Sequence, residues 1–456
     1  MKRWMWLTLA AIFVVGIGVT LVALPSGPEW TTDSPEALAE LQAAMDAQMK
    51  LYYDEANRHI KRAYELDPDF VMAKLMYSDR VRWDEKDEER AKKMLQEVFE
   101  TDTSKLTPRE RFFVEQRRAY HEERPDDVIA IVDEYVARYP NDPYILNQKA
   151  LRTWRLGELE EGERLYQRLV EISPNWVIAY NQLGYITMMQ GRFAEAEEYF
   201  KSYRFIAPDQ ANPYDSLGEL FITVGRYDEA EESLEKAIEI KSDFWASYQH
   251  LVLMKAFNGD LDGTREVIER ARMAEMPEEM LFGMDCLEHY TALRNAEAWQ
   301  QIMDEADSKC VEGFKQGFST VTTHFAASKL GDWEKAMAME VEAANILEKV
   351  EKSGNEKDAM TVRGAFLHMQ GVRLALQGEY EEAEEKLRAA DKGLTYVEAG
   401  TGMYKLFNRM ILAEVLLADG QDAEAHGLLT KVRGVNPVMV ADFEDSGLKV
   451  IGLDRG

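Results

Sequence analysis

Cysteine is nearly absent: 456 residues contain only Cys286 and Cys310. That excludes a scaffold stapled by many disulfides and any site built from paired Cys-x-x-Cys ligands. Histidine is scarce as well, with seven scattered along the chain. None has a second His or Cys at metal-ligand spacing, and no His-Glu-x-x-His occurs, so neither a metal nor another cofactor is expected. There is no Gly-x-Ser-x-Gly elbow, no Walker loop, and no His-Arg-Asp or Asp-Phe-Gly triplet. No catalytic residue is assigned, and the chain reads as a non-enzyme. Cys286 and Cys310 fall in one irregular stretch and read as two buried thiols, with a disulfide as the open alternative.

Basic charge is also short. Lys and Arg total 54 against 83 Asp and Glu, a net charge of −29. Such a balance repels phosphate backbones and points away from nucleic acid, toward neutral or basic protein partners. Small-molecule substrates are not expected. Acidic runs such as Glu195-Ala196-Glu197-Glu198 read as the solvated faces of helices. With 46% apolar residues the chain has enough to build a core. Alternating strand-like runs are missing, so the soluble part is predicted to be all-α.

The amino terminus differs. Lys2 and Arg3 precede a run from Trp4 to Leu24 that carries no charge, long enough for a membrane-crossing helix and without a good cleavage site. The expectation is an uncleaved signal-anchor over residues 1–28, with contact to the membrane through residues 4–24. The chain would pass once through the cytoplasmic (inner) membrane, N-terminus inside and the remainder on the periplasmic or extracytoplasmic side.

From Ser34 onward a repeat organises the chain. At an offset of 34 residues, Tyr180, Leu183, Gly184, Gly191, Phe193, Ala196 and Phe200 fall on Tyr214, Leu217, Gly218, Gly225, Tyr227, Ala230 and Leu234. The same offset carries Pro174 to Pro208, Gly157 to Gly191 and Gly225 to Gly259. Small residues at 184, 218, 196 and 230 suit the closest approach of two helices, and Gly191 and Gly225 suit the turn between them. The pattern resembles the tetratricopeptide repeat family. Gly331-Asp332-Trp333, Gly378-Glu379-Tyr380 and Gly420-Gln421-Asp422 repeat the turn signature downstream.

The resemblance implies a superhelical solenoid of antiparallel helix pairs, about eleven repeats, preceded by the one transmembrane helix. The expected division is a regular array over 29–276, irregular units over 277–355, C-terminal units over 356–437 and a capping tail over 438–456. Leu106-Thr107-Pro108-Arg109-Glu110-Arg111 and the repeats after it also resemble helical regions attached to some bacterial membrane-anchored Ser/Thr kinases and regulators, here without the kinase domain.

The resemblance further implies a concave groove lined by first helices. Its expected residues are Asn147, Leu151 and Trp154; Asn181, Tyr185, Met188 and Met189; Asp215, Glu219 and Ile222; and Gln249, Leu253 and Phe257. Some family members grip acidic tails through Lys, Arg and Asn in these columns, whereas here the columns hold Asn, Asp or Gln and no Lys. Met and aromatic surfaces suit an apolar or helical segment, with Asp215 and Glu219 favouring a basic flank. The expected function is a membrane-anchored protein–protein interaction scaffold or assembly factor. The alternative is a stoichiometric accessory subunit of a larger membrane complex.

Overall fold

The computed structural model describes residues 29–305, 316–396 and 401–453. Among them the secondary structure is entirely helical. The helices follow in pairs: α1 (Pro35–Met49) and α2 (Tyr53–Leu66); α3 (Val71–Trp83) and α4 (Glu88–Glu100); α5 (Pro108–His121) and α6 (Pro125–Arg138). Next come α7 (Pro143–Arg155) and α8 (Leu159–Ile172), α9 (Val177–Met189) and α10 (Phe193–Ile206), then α11 (Asn212–Thr223) and α12 (Tyr227–Ile240). They continue with α13 (Trp245–Phe257) and α14 (Leu261–Met273), α15 (Glu278–Asn295) and α16 (Trp299–Asp304), and α17 (Gln316–Leu330) and α18 (Trp333–Lys352). Last are α19 (Glu356–Gln377) and α20 (Tyr380–Gly393), α21 (Thr401–Ala418) and α22 (Asp422–Val435), and a final short α23 (Pro437–Asp445).

The local causes are those of the repeat. A Cβ added at Gly184 would stand 2.3 Å from the Phe200 ring, so the small residue is what lets α9 and α10 close. The turn inside a pair takes a left-handed residue two positions past the first helix: Gly191 at φ +76° and Gly225 at φ +75°. Where the sequence supplies no glycine the backbone still turns this way, at Lys86 (φ +54°), Glu123 (φ +53°) and Glu297 (φ +52°). Non-glycine residues are strained there. Lys86→Gly and Glu123→Gly are each expected to raise stability by about 1 kcal/mol. A lower denaturation midpoint for either variant would contradict this account.

The chain divides into two compact units, residues 1–152 with 164–179, and residues 153–163 with 180–456. In the first unit Thr107 and Glu110 form a capping box at the start of α5. The same Glu110 carboxylate, fully buried, accepts from the Thr31 amide and hydroxyl at 2.6 Å each. Arg109 lies between the rings of Trp30 and Tyr144 and donates to Asp142 and Glu29. The Leu106–Arg111 motif therefore ties the segment Glu29–Thr31 onto α5.

In the second unit one apolar cluster runs from Met188 to Leu453. The C-terminal helices return onto much earlier ones. Buried Asn436 donates to the carbonyls of Ile222 (3.5 Å) and Thr223 (3.3 Å) and to the Tyr227 hydroxyl. Gly225 leaves room for it, since a Cβ there would lie 2.4 Å from the Asn436 amide oxygen. Buried Glu414 accepts from the backbone amides of Val450, Ile451 and Leu453, holding the tail.

Two expectations are corrected. The single-pass membrane placement fails: no helix among the described residues is long and apolar enough to cross a membrane. The repeat helices mix apolar faces with acidic ones, and residues 4–24, on which the expectation stood, lie outside the described residues. The reading of two free thiols fails too, because Cys286, fully buried in α15, is disulfide-bonded. Cys310, the only other cysteine, lies outside the described residues.

Candidate functional site

The expected groove residues are mostly enclosed. In the first unit Asn147 and Leu151 are half-buried, and the Asn147 side-chain oxygen has no hydrogen-bond partner. In the second unit Met188 has no solvent access, and Met189, Asn181, Ile222 and Leu253 are buried. Trp154, Tyr185 and Phe257 are half-buried, and Gln249 is exposed. The structure joins several of them across helices. Trp154 Nε1 points at the Met189 sulfur (3.4 Å), with Lys357 Nζ over its ring at 4.4 Å. Phe257 meets Phe407 of α21 with centroids 5.7 Å apart.

The polar members form two hydrogen-bonded clusters, one joining α9 to α11 and one joining α11 to α13. Tyr185 donates to Glu219 (2.9 Å), Ser216 to Asn181 (2.9 Å), and Ser247 to Asp215 (2.7 Å). His250 Nδ1 lies 3.0 Å from Asp215. Burial alone would push His250 down. The Asp215 charge and hydrogen bond, with Glu219 behind them, override it and raise His250 to about 9. Burial and the same two carboxylates raise the Tyr185 hydroxyl well above its usual range. Ser247, His250 and Asp215 do not form a nucleophilic relay. Serine and histidine both turn to the carboxylate rather than to each other, and an imidazole held protonated cannot serve as a base. The two clusters fix three first helices in register.

Sequence reading missed the residues that complete this face from elsewhere in the chain. Arg294, at the end of α15, keeps its side chain exposed and stacks on Phe325 (5.5 Å) and Phe407 (5.7 Å). Burial by its surroundings nevertheless lowers its basicity. Tyr404 of α21 packs on His368 at 4.5 Å, and its buried hydroxyl has no hydrogen-bond partner. Arg294 lies in the stretch without the Leu-Gly pair, where columns cannot be aligned. Tyr404 and Phe407 are separated from it by more than a hundred residues, and periodicity says nothing of such a return. On the outer surface, a recess beside α10 and α12 is lined by Glu197, Lys201, Arg226 and Glu229, whose charges already pair.

Helix pairs closed by small residues and left-handed turns, repeated at a 34-residue offset, define a helical repeat protein. Residues 177–243 match the model of the tetratricopeptide repeat family. The match does not extend to Leu106–Arg111. No curated protein matches the sequence. Among solved structures, MamA 41-end from Desulfovibrio magneticus RS-1 is similar at 19% identity, over 35% of this chain and 90% of that one (TM-score 0.31). The type IV pilus biogenesis factor PilW is similar at 15% identity, over 54% and 97% (TM-score 0.33). The hetero-tetramer Cut9–Hcn1 is similar at 14% identity, over 91% and 76% (TM-score 0.46).

Proposed function

We propose that the chain is a protein–protein interaction scaffold that holds segments of partner proteins, with no catalytic step. The observation that carries this reading is the face of the second unit where accessible parts of Trp154, Tyr185, Gln249 and Phe257 stand on a network that holds their helices rigid. Half-buried aromatic rings on a fixed backbone are the surfaces that bind with little loss of side-chain freedom. Met188, Met189, Asn181, Ile222 and Leu253 position them. Asp215 and Glu219 act as internal struts, because Ser247 and His250 bond one oxygen of Asp215 and Tyr185 one oxygen of Glu219. The segment bound is apolar or helical.

The reading is tested by placing a photo-crosslinking residue at Gln249, exposed on this face, and at Phe205, exposed on the outer helix α10. A discrete protein adduct is expected from position 249 and none of the same size from position 205. Equal adducts from both positions, or adducts from 205 alone, would refute the groove.

A further inference from the structure

Two opposite charges of the second unit are engaged by the chain's own tail. Glu414 of α21 is only 2% exposed, and both of its oxygens accept backbone amides: Oε2 those of Val450 (2.6 Å) and Ile451 (2.8 Å), Oε1 that of Leu453 (2.6 Å). Lys329, near the end of α17, donates to the Ile451 carbonyl at 2.9 Å. Among the described residues neither side chain has an ion pair or another hydrogen bond. Other buried acids of this unit, such as Glu340 with Arg373, are held by side chains of neighbouring helices. Without the tail, Glu414 would be a carboxylate shut away from water with no donor, a costly state. Glu414 and Lys329 are thus a pair of groups for holding an extended backbone.

The tail has the form of a detachable segment. Residues 448–453 belong to neither helix nor strand, and exposure alternates along them: Lys449 and Gly452 face solvent, while Ile451 and Leu453 are buried against the apolar cluster. Leu448 is held left-handed at φ +62°, a strain that opening would release. The root stays behind, because Asn436 fixes the start of α23 to the end of α11. The helices touched, α11, α17 and α21, are the first helices of three pairs far apart in sequence. Phe407 and Glu414 stand seven residues apart, on one face of α21. Phe407 meets Phe257, one of the expected groove residues. The tail therefore lies on the face of α21 that continues from the expected groove.

We propose that residues 448–453 are an internal strap that closes the second unit's groove, and that an extended apolar segment of a partner displaces it by offering its own amides to Glu414 and a carbonyl to Lys329. The tail itself defines the chemistry of that segment. Recognition falls on main-chain N–H and C=O groups, with apolar side chains at alternate positions as anchors, so an unrelated sequence with the same alternation fits. A helical segment does not, because its amides are bonded within the helix. A tethered strap competes at an effective concentration in roughly the millimolar range, so it keeps weak segments out. This proposal rests on the protein-binding reading above and adds the control of access to it.

The test uses the full chain and an acetylated, amidated, fluorescent peptide of residues 447–453, followed by anisotropy. Ile451→Asp puts a charge where the strap is completely buried and is expected to release it while leaving the seat intact. That variant is expected to bind the peptide about tenfold or more tighter than the parent, because the tethered competitor is gone. A peptide N-methylated at its isoleucine amide, or Glu414→Gln added to Ile451→Asp, is expected to lose about tenfold, the usual loss when a hydrogen bond to a charged group is removed. Hydrogen exchange of the parent needs no variant. The Ile451 and Leu453 amides are expected to exchange about tenfold or more faster than those of Leu412 and Leu416 in α21, since the strap opens without unfolding the helix. Exchange in step with those helical amides, no binding by a folded Ile451→Asp, binding by the parent as tight as by that variant, or full binding of the N-methyl peptide would each overturn the proposal. A partner adduct at position 249 of equal yield in the parent and the folded Ile451→Asp would overturn the strap and leave the scaffold reading standing. Peptide bound by Ile451→Asp with no adduct at 249 in either protein would do the reverse.

Discussion

Replacing Arg109 by Met is expected to destabilise the first unit by about 3 to 5 kcal/mol, the range for removing one partner of a buried ion pair. Asp142 is completely buried and Arg109 nearly so, joined at 3.0 Å. Without the guanidinium, Asp142 keeps only the Tyr135 hydroxyl at 2.9 Å and the Tyr144 amide at 3.1 Å, too few donors for a carboxylate shut away from water. The segment Glu29–Trp30 would loosen as well, since Arg109 also binds Glu29 and stacks on Trp30. Arg109→Met combined with Asp142→Asn, which removes the stranded charge and keeps the helix cap, is expected to recover much of the loss. Urea midpoints of the single and double variants decide it. A double variant no more stable than Arg109→Met would mean that stacking on Trp30 and Tyr144, rather than charge, is what Arg109 supplies.

The legible part of this fold is the part set by neighbours in sequence. Gly184 against Phe200 and the left-handed Gly191 are local requirements, and a 34-residue offset exposes them because each repeat meets the same neighbour in the same way. Lys86, Glu123 and Glu297 take the same turn without glycine, because packing of the two helices outweighs the preference of one residue, so their units looked degenerate. The first-helix columns could be aligned for the same reason as the turns. Their charge roles were not. Asp215 and Glu219 looked like groove acids, and only the structure shows both buried, with Ser247 and His250 on one oxygen of Asp215 and Tyr185 on one oxygen of Glu219. Asn436 on α11, and Phe407 beside Arg294, join residues more than a hundred positions apart, for which helical spacing carries no signal.

Two histidines with opposite shifts are expected to give the second unit a stability maximum near pH 6.5. His250 is raised to about 9 from 6.5, so its stabilisation is full below pH 6.5 and is lost as pH rises through 9. His368 is lowered from 6.5 to about 4, so folding holds it neutral against its tendency to protonate. Its contribution is full above pH 6.5 and is lost as pH falls toward 4. Each pair of values is about 2.5 pH units apart, on the order of 3 kcal/mol across the window at about 1.4 kcal/mol per unit. Carboxylates such as Glu340, held low against burial by His324 and Arg373, also weaken the fold in acid, so the parent curve alone does not isolate His368. The readout is the difference between parent and variant. His250→Gln is expected to flatten the limb between pH 6.5 and 9 and leave the acid limb intact, and His368→Gln to do the opposite. Thermal midpoints at pH 4.5, 6.5 and 9 separate the two. An alkaline limb as steep in His250→Gln as in the parent would show that Asp215 and Glu219 do not hold the imidazole protonated, and the account of the network as internal struts would fail with it.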